Sequence, residues 1–122
     1  MMRVLLVDDD PEILLVATTV LVRSGEFQVS QAGSAEEALA SARLNPPEVV
    51  ITDYLLPDMD GARLLERLRA EKVLALIPVI FLTGKAEPAD VTRLKLLGAR
   101  GVIGKPFDPF ELVDQIKQIL AD

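Results

Sequence analysis

Neither cysteine nor histidine occurs anywhere in the 122 residues. Without cysteine there are no disulfides, no thiolate metal sites and no sulfur nucleophile, a composition that fits a reducing cytoplasm. Without histidine, a histidine-dependent triad, a phosphocarrier histidine and an imidazole-rich zinc site are all excluded. Positive charge is in short supply: 13 Lys and Arg stand against 19 Asp and Glu, a formal net charge of -6. Phosphate backbones are held by clustered cations, so no direct nucleic-acid partner is expected. Long apolar runs are missing too. The stretches Val4 to Val7 and Val73 to Ile77 fall far short of a membrane span, and the N-terminus carries no signal-peptide pattern, so no membrane partner is expected either. No internal repeat, linker or low-complexity segment interrupts the chain. What remains is a short sequence, half of it apolar, which is enough for one core and one domain over residues 1–122.

Five short apolar runs alternate with longer amphipathic stretches: Arg3 to Val7, Phe27 to Gln31, Glu48 to Thr52, Pro78 to Leu82 and Gly101 to Ile103. Three of them are nearly unbroken Val, Ile and Leu, as expected of parallel strands covered by helices on both faces. Helix starts are marked by Pro11, by the capping box from Ser34 to Glu37, and by Asp108 followed by Pro109 and Glu111. Helix stops are marked by Gly25, by Asn45 before Pro46-Pro47, and by Gly98. This regular alternation predicts right-handed crossovers and a doubly wound α/β sandwich, most simply the flavodoxin-like (βα)5 fold with a five-stranded parallel sheet in the order 2-1-3-4-5. In the first helix Ile13, Val16, Ala17 and Val20 are placed toward the core, with Leu14, Leu15 and Leu21 widening the apolar stripe. In the last, Leu112, Val113, Ile116, Ile119 and Leu120 share one core face.

Ligands of an open α/β sheet bind beyond the carboxyl ends of its strands, so the informative residues are those that follow each apolar run. Asp8, Asp9 and Asp10 follow the first run, Asp53 the third, Thr83 the fourth, and Lys105 with Pro106 the fifth. Singly, each has an ordinary explanation as a cap, a strand end or a solvated charge, and Asp10 before Pro11 reads as an N-cap. Together the acids require more, because carboxylates gathered at one rim repel unless a cation joins them. Every donor available is oxygen, which suits a hard cation, Mg²⁺ best. One carboxylate could then attack a phosphorus centre, with the cation and a lysine offsetting the charge on its oxygens.

Four segments sharpen this: Val4-Leu5-Leu6-Val7-Asp8-Asp9-Asp10-Pro11, Thr52-Asp53-Tyr54-Leu55-Leu56-Pro57-Asp58-Met59-Asp60-Gly61, Pro78-Val79-Ile80-Phe81-Leu82-Thr83-Gly84 and Gly104-Lys105-Pro106-Phe107. In this order they make the chain resemble response-regulator receiver domains of two-component signalling, from the first strand to the last helix. The resemblance implies that Asp53 is the phosphoacceptor and that Asp9, Asp53 and the Leu55 backbone carbonyl ligate Mg²⁺, with Asp8 acting chiefly through a metal-bound water. It also implies that Thr83 bonds a phosphoryl oxygen, that Gly84 leaves room for it, that Lys105 pairs with it, and that the Lys105-Pro106 bond is cis. In the loop after Asp53, Gly61 suits a special backbone angle and Pro57 a rigid turn; Asp60 is placed as a helix cap and Asp58 in solvent.

The family further implies a phosphohistidine donor, on a histidine kinase or histidine phosphotransfer protein, docking near helix one. It implies an output face of helix four, strand five and helix five that meets an output protein or a second receiver. Here that face would include Val91, Leu94, Lys95, Arg100, Phe110 and Gln115. Two departures stand out. Val102 occupies a position that is aromatic in many receivers, so the signal must travel by backbone or helix-four movement. Leu55 and Lys85 occupy the positions that control the attacking water, and neither carries a carboxylate or amide, which predicts slow self-dephosphorylation. Two rival readings use the same residues: a haloacid-dehalogenase-like phosphatase with Asp8 as nucleophile, disfavoured by Glu12 and by an unexplained Asp53, and a receiver that serves only as an unphosphorylated scaffold or dimerisation module.

Overall fold

The computed structural model describes residues 1–122. Its elements run β1 (Met2–Val7), α1 (Pro11–Arg23), β2 (Phe27–Ala32), α2 (Ala35–Leu44), β3 (Val49–Thr52), α3 (Gly61–Ala70), β4 (Val79–Thr83), α4 (Pro88–Leu96), β5 (Gly101–Gly104) and α5 (Leu112–Ala121). All strand pairings are parallel, in the order β2-β1-β3-β4-β5, as the alternation predicts. Every residue of β3 and β4 is buried, whereas the edge strands β2 and β5 are buried only in part. A strand flanked by neighbours and covered on both faces needs apolar side chains in both directions. Ile51 and Ile80 pack with Ala17, Leu21, Leu112 and Ile116 of α1 and α5. On the opposite face Val50 and Phe81 pack with α2, α3 and Leu94 of α4. Each such aliphatic side chain contributes about 1.5–3 kcal/mol on burial. No helix is long and apolar enough to cross a membrane.

Local sequence sets the helix ends. The Asp10 side chain accepts from the Glu12 N–H, Ser34 from Glu37 and Asp60 from Arg63, each filling one of the orphan donors of a first turn. The box at Ser34 is displaced by one residue from the predicted reciprocal form, because Glu37 reaches back to the Gly33 N–H at 2.7 Å. Gly25 and Gly98 take positive φ just past α1 and α4, the conformation that only glycine adopts without cost.

Three expectations need correction. The last helix starts at Leu112 rather than at Pro109, since Asp108 caps a separate turn by accepting from the Phe110 N–H. On α1, Val16 faces outward while Leu21 is fully buried and Leu14 packs on the core. The buried stripe runs through 13, 14, 17, 20 and 21, a face that leaves Leu15 66 % exposed. Gly61 does not adopt a special angle, as positive φ is confined to Gly25 and Gly98. Its role is space: a Cβ there would collide with the Phe81 ring and lie 3.0 Å from Cδ1 of Tyr54.

Gly61→Ala should therefore destabilise the protein by about 1–3 kcal/mol, the cost of overpacking a filled core. Gly84→Ala, where a Cβ would meet nothing within 4 Å, should stay within about 0.5 kcal/mol. Urea unfolding of the two variants beside the wild type checks both.

Candidate functional site

The strand order brings the chemistry together. β1 and β3 are neighbours in register, Val7 opposite Thr52, so the residues that leave them emerge side by side. The Asp53 N–H donates to the Val7 carbonyl at 3.0 Å, and the Asp8 N–H to Ala32 at 3.1 Å. On the other side β4 and β5 pair Thr83 with Gly104, and the Lys105 N–H donates to the Thr83 carbonyl at 2.9 Å. The cis Lys105-Pro106 bond follows at once.

From there the Lys105 side chain crosses the edge of the sheet. Its Nζ donates to Oδ2 of Asp8 at 2.7 Å and to Oδ2 of Asp53 at 3.2 Å. Asp8 is 1 % exposed, and its other oxygen accepts from the Asp10 N–H at 2.9 Å. Asp53 is half-buried and its Oδ1 accepts from the Tyr54 N–H at 2.7 Å. Asp9 is exposed, yet carboxylate oxygens of Asp8, Asp9 and Asp53 all lie within 4.8 Å of one another. Such a set could hold a metal ion, and a hard one, because each donor is a carboxylate oxygen. Partial burial pulls the Lys105 ammonium down; the hydrogen bond it donates to Asp8 and the negative charge of Asp53 outweigh it and leave the pKa raised. The lysine is therefore charged throughout the neutral range.

Of the other predicted residues, Thr83 is buried at the end of β4, where its Oγ1 accepts from the Lys85 N–H at 3.2 Å. Its hydroxyl proton is directed by no such constraint. Leu55 lies in the β3–α3 loop, bridged to Asp60. Asp10 is turned away from the cluster by its capping role.

The loop residue expected in solvent, Asp58, is exposed and has a structural role besides. Its two oxygens accept from the Ala35 and Glu36 N–H groups at 2.9 and 2.8 Å, so the loop that follows Asp53 caps α2 from outside. Desolvation alone would raise this carboxyl; the backbone donors of Ala35, Glu36, Asp58 and Met59 outweigh it and hold the pKa below the ordinary aspartate value. No short-range motif announces this, because Asp58 is 23 residues from Ala35. The proposed output face also divides: Leu94 is a core residue, whereas Phe110 is 95 % exposed. A contact absent from the sequence reading is Arg93 of α4, whose guanidinium lies 5.2 Å above the Tyr54 ring.

A sheet of this order with three carboxylates and a lysine at its carboxyl edge defines a class, and comparison with known proteins agrees. Residues 4–117 match the response regulator receiver domain, and the chain belongs to that family. It is 35 % identical over 117 residues to the response regulator Rre1 of Synechocystis, covering 96 % of this chain and 51 % of that protein. It is 36 % identical to the alkaline phosphatase synthesis transcriptional regulatory protein PhoP of Bacillus subtilis, over 97 % of this chain and 48 % of that one. The chain thus spans about half the length of these relatives. The chemotaxis response regulator CheY4 of Vibrio cholerae superposes with a TM-score of 0.89 at 28 % identity, covering 98 % of both chains. The protein is a receiver domain of two-component response regulators, a signalling switch.

Asp58→Ala should cost about 1 kcal/mol at neutral pH, the usual loss of a helix cap. Because folding lowers this pKa, the contribution is complete above the ordinary aspartate value of about 3.9 and is lost as pH falls through the lower folded value. Urea unfolding in progressively more acidic buffer should show the wild type and variant converging.

Proposed function

We propose that Asp53 accepts a phosphoryl group from a phosphohistidine on a histidine kinase or histidine phosphotransfer protein. The observation that supports this most is the joining of Asp8 and Asp53 by one half-buried lysine, with Asp9 alongside. In the transfer an Asp53 oxygen forms a bond to phosphorus as the phosphorus–nitrogen bond of the donor breaks. The electron pair leaves with the imidazole, which takes up a proton, and Asp53 becomes an acyl phosphate. The protein's own residues supply position and charge. Lys105 is already charged and within reach to follow the transferred oxygens, and Thr83 has a hydroxyl to donate. Gly84 has open space where a Cβ would stand, which would leave room for the phosphate.

The donor set fits Mg²⁺, which Asp9, Asp53 and the Leu55 carbonyl would ligate directly, with Asp8 acting through bound water. When bound, the cation would offset the charge gathering on the phosphoryl oxygens. The product adds negative charge and strong acceptors to an acidic rim, so Lys105 and Thr83 must rearrange around it, and that rearrangement is the switch. We assign the response to the α4–β5–α5 face, meeting an output protein or a second receiver, and we place the reaction in the cytoplasm, where phosphohistidine is formed from ATP. Residues 1–122 act as one receiver unit in this reading. The phosphatase alternative is weakened by two contacts: Asp8 is buried and bound to Lys105, and Asp10, its required assistant, caps α1.

Incubation with acetyl phosphate and Mg²⁺ should add one phosphoryl group, detected by intact mass. Asp53→Asn should abolish the adduct, and removal of Mg²⁺ should abolish it in the wild type. An adduct that persisted in Asp53→Asn would transfer the role to Asp8 and the phosphatase reading. Leu55 and Lys85 are both exposed, and neither carries a carboxylate or amide to orient a water. The adduct should accordingly decay slowly, and Lys85→Glu should shorten its lifetime; fast decay that this change leaves untouched would refute the assignment.

A further inference from the structure

The residue at the β5 position that is often aromatic is Val102, and an aliphatic side chain offers no ring to turn. Another ring sits closer to the acceptor. Tyr54 follows Asp53 directly, and its N–H donates to Oδ1 of Asp53 at 2.7 Å. Its buried ring lies 5.8 Å from that of Phe81, tilted by 55°. Phe81 precedes Thr83 by two residues on β4, so both side chains emerge on the same face of the sheet. Gly61, lacking a Cβ, lets the α3 start close over this pair.

Arg93 of α4 rests on the outer side of that ring. Its guanidinium carbon is 5.2 Å from the ring centroid and Nη1 is 3.4 Å from the Tyr54 hydroxyl. Little else fixes α4. Leu94 is its one buried residue, and its N-cap Glu87 makes no side-chain cap bond. A helix anchored so lightly is the element most easily displaced.

We infer that Arg93 is a positioning residue for the acceptor: clamped on Tyr54, it holds α4 in the resting arrangement, and phosphoryl transfer competes with the clamp. This rests on the reading of Asp53 as phosphoacceptor. The competition follows from connectivity. A phosphoryl group on Asp53 draws the Thr83 hydroxyl, and only residues 84–87 separate Thr83 from α4. The start of α4 is pulled toward the rim, while Arg93 pins the helix to a ring whose own N–H partner, Asp53, has changed. Coupling is reciprocal, so if the adduct weakens the clamp, removing the clamp must favour the adduct.

The test uses beryllofluoride with Mg²⁺ as a phosphoryl mimic, following bound fluoride by NMR and amide exchange in residues 88–97. In the wild type, binding should raise exchange in α4. Arg93→Gln should show that raised exchange already when free, and should bind the mimic about two- to fivefold more tightly, the worth of an exposed cation–π contact. Arg93→Lys, which keeps a cation over the ring, should fall between. Tyr54 is the sole tyrosine and there is no tryptophan, so tyrosine emission reports this ring alone and should change less on binding in Arg93→Gln. A merely structural arginine would leave binding unchanged or weaker, and that result overturns the clamp while the acceptor reading stands. Absence of any bound mimic in the wild type overturns both.

Discussion

The site depends on a single constraint: two carboxylates that emerge from adjacent strands must not be left facing each other. Lys105 meets it by reaching from the far side of the sheet to both Asp8 and Asp53. A pair of buried or half-buried like charges without that cation would oppose the packing that brings their strands together. The bridge also leaves the site poised. It satisfies one oxygen of each acid and keeps Asp9 outside the bond, so a divalent ion has ligands to take without first dismantling a closed network.

The fold turns strand order into chemistry. β1 and β3 at the centre deliver the acids, and β4 and β5 deliver Thr83 and Lys105. The covering is uneven. α2 is anchored at its start by two sets of acceptors, its own Ser34 and the distant Asp58, and at its end by the paired hydrogen bonds of Arg43 to Glu71. α4 has no side-chain cap at its start and is held by the single long bonds of Arg93 to Tyr54 and, just past its end, of Arg69 to the Gly98 carbonyl. Rigidity and freedom are thus distributed around Asp53 on opposite sides, which is the arrangement a two-state element requires.

Much of this was legible because it is encoded by neighbours in sequence. The strands announce themselves by unbroken Val, Ile and Leu, and the caps Asp10, Ser34 and Asp60 by their place before a helical pattern. Asp8, Asp9 and Asp53 are recognisable as a group because the doubly wound topology assigns all strand ends to one rim. What escaped was long-range or depended on volume. Asp58 looks like any loop acid until α2 is set beside it. Gly61 looks like a turn residue until Phe81 and Tyr54 fill the space its missing Cβ leaves. The outward turn of Val16 and the inward turn of Leu21 follow from how α1 lies against α5, a rotation that periodicity alone does not determine.

The edge strands carry a consequence of their own. β5 is four residues long with glycine at both ends, and β2 presents Gln28, Ser30 and Gln31 to solvent. Short or polar edges are poor templates for another strand. The sheet therefore does not invite growth from either side, and association is steered to the helical flanks. There, side chains can be exchanged to change the company the protein keeps while the backbone that holds the acids stays as it is.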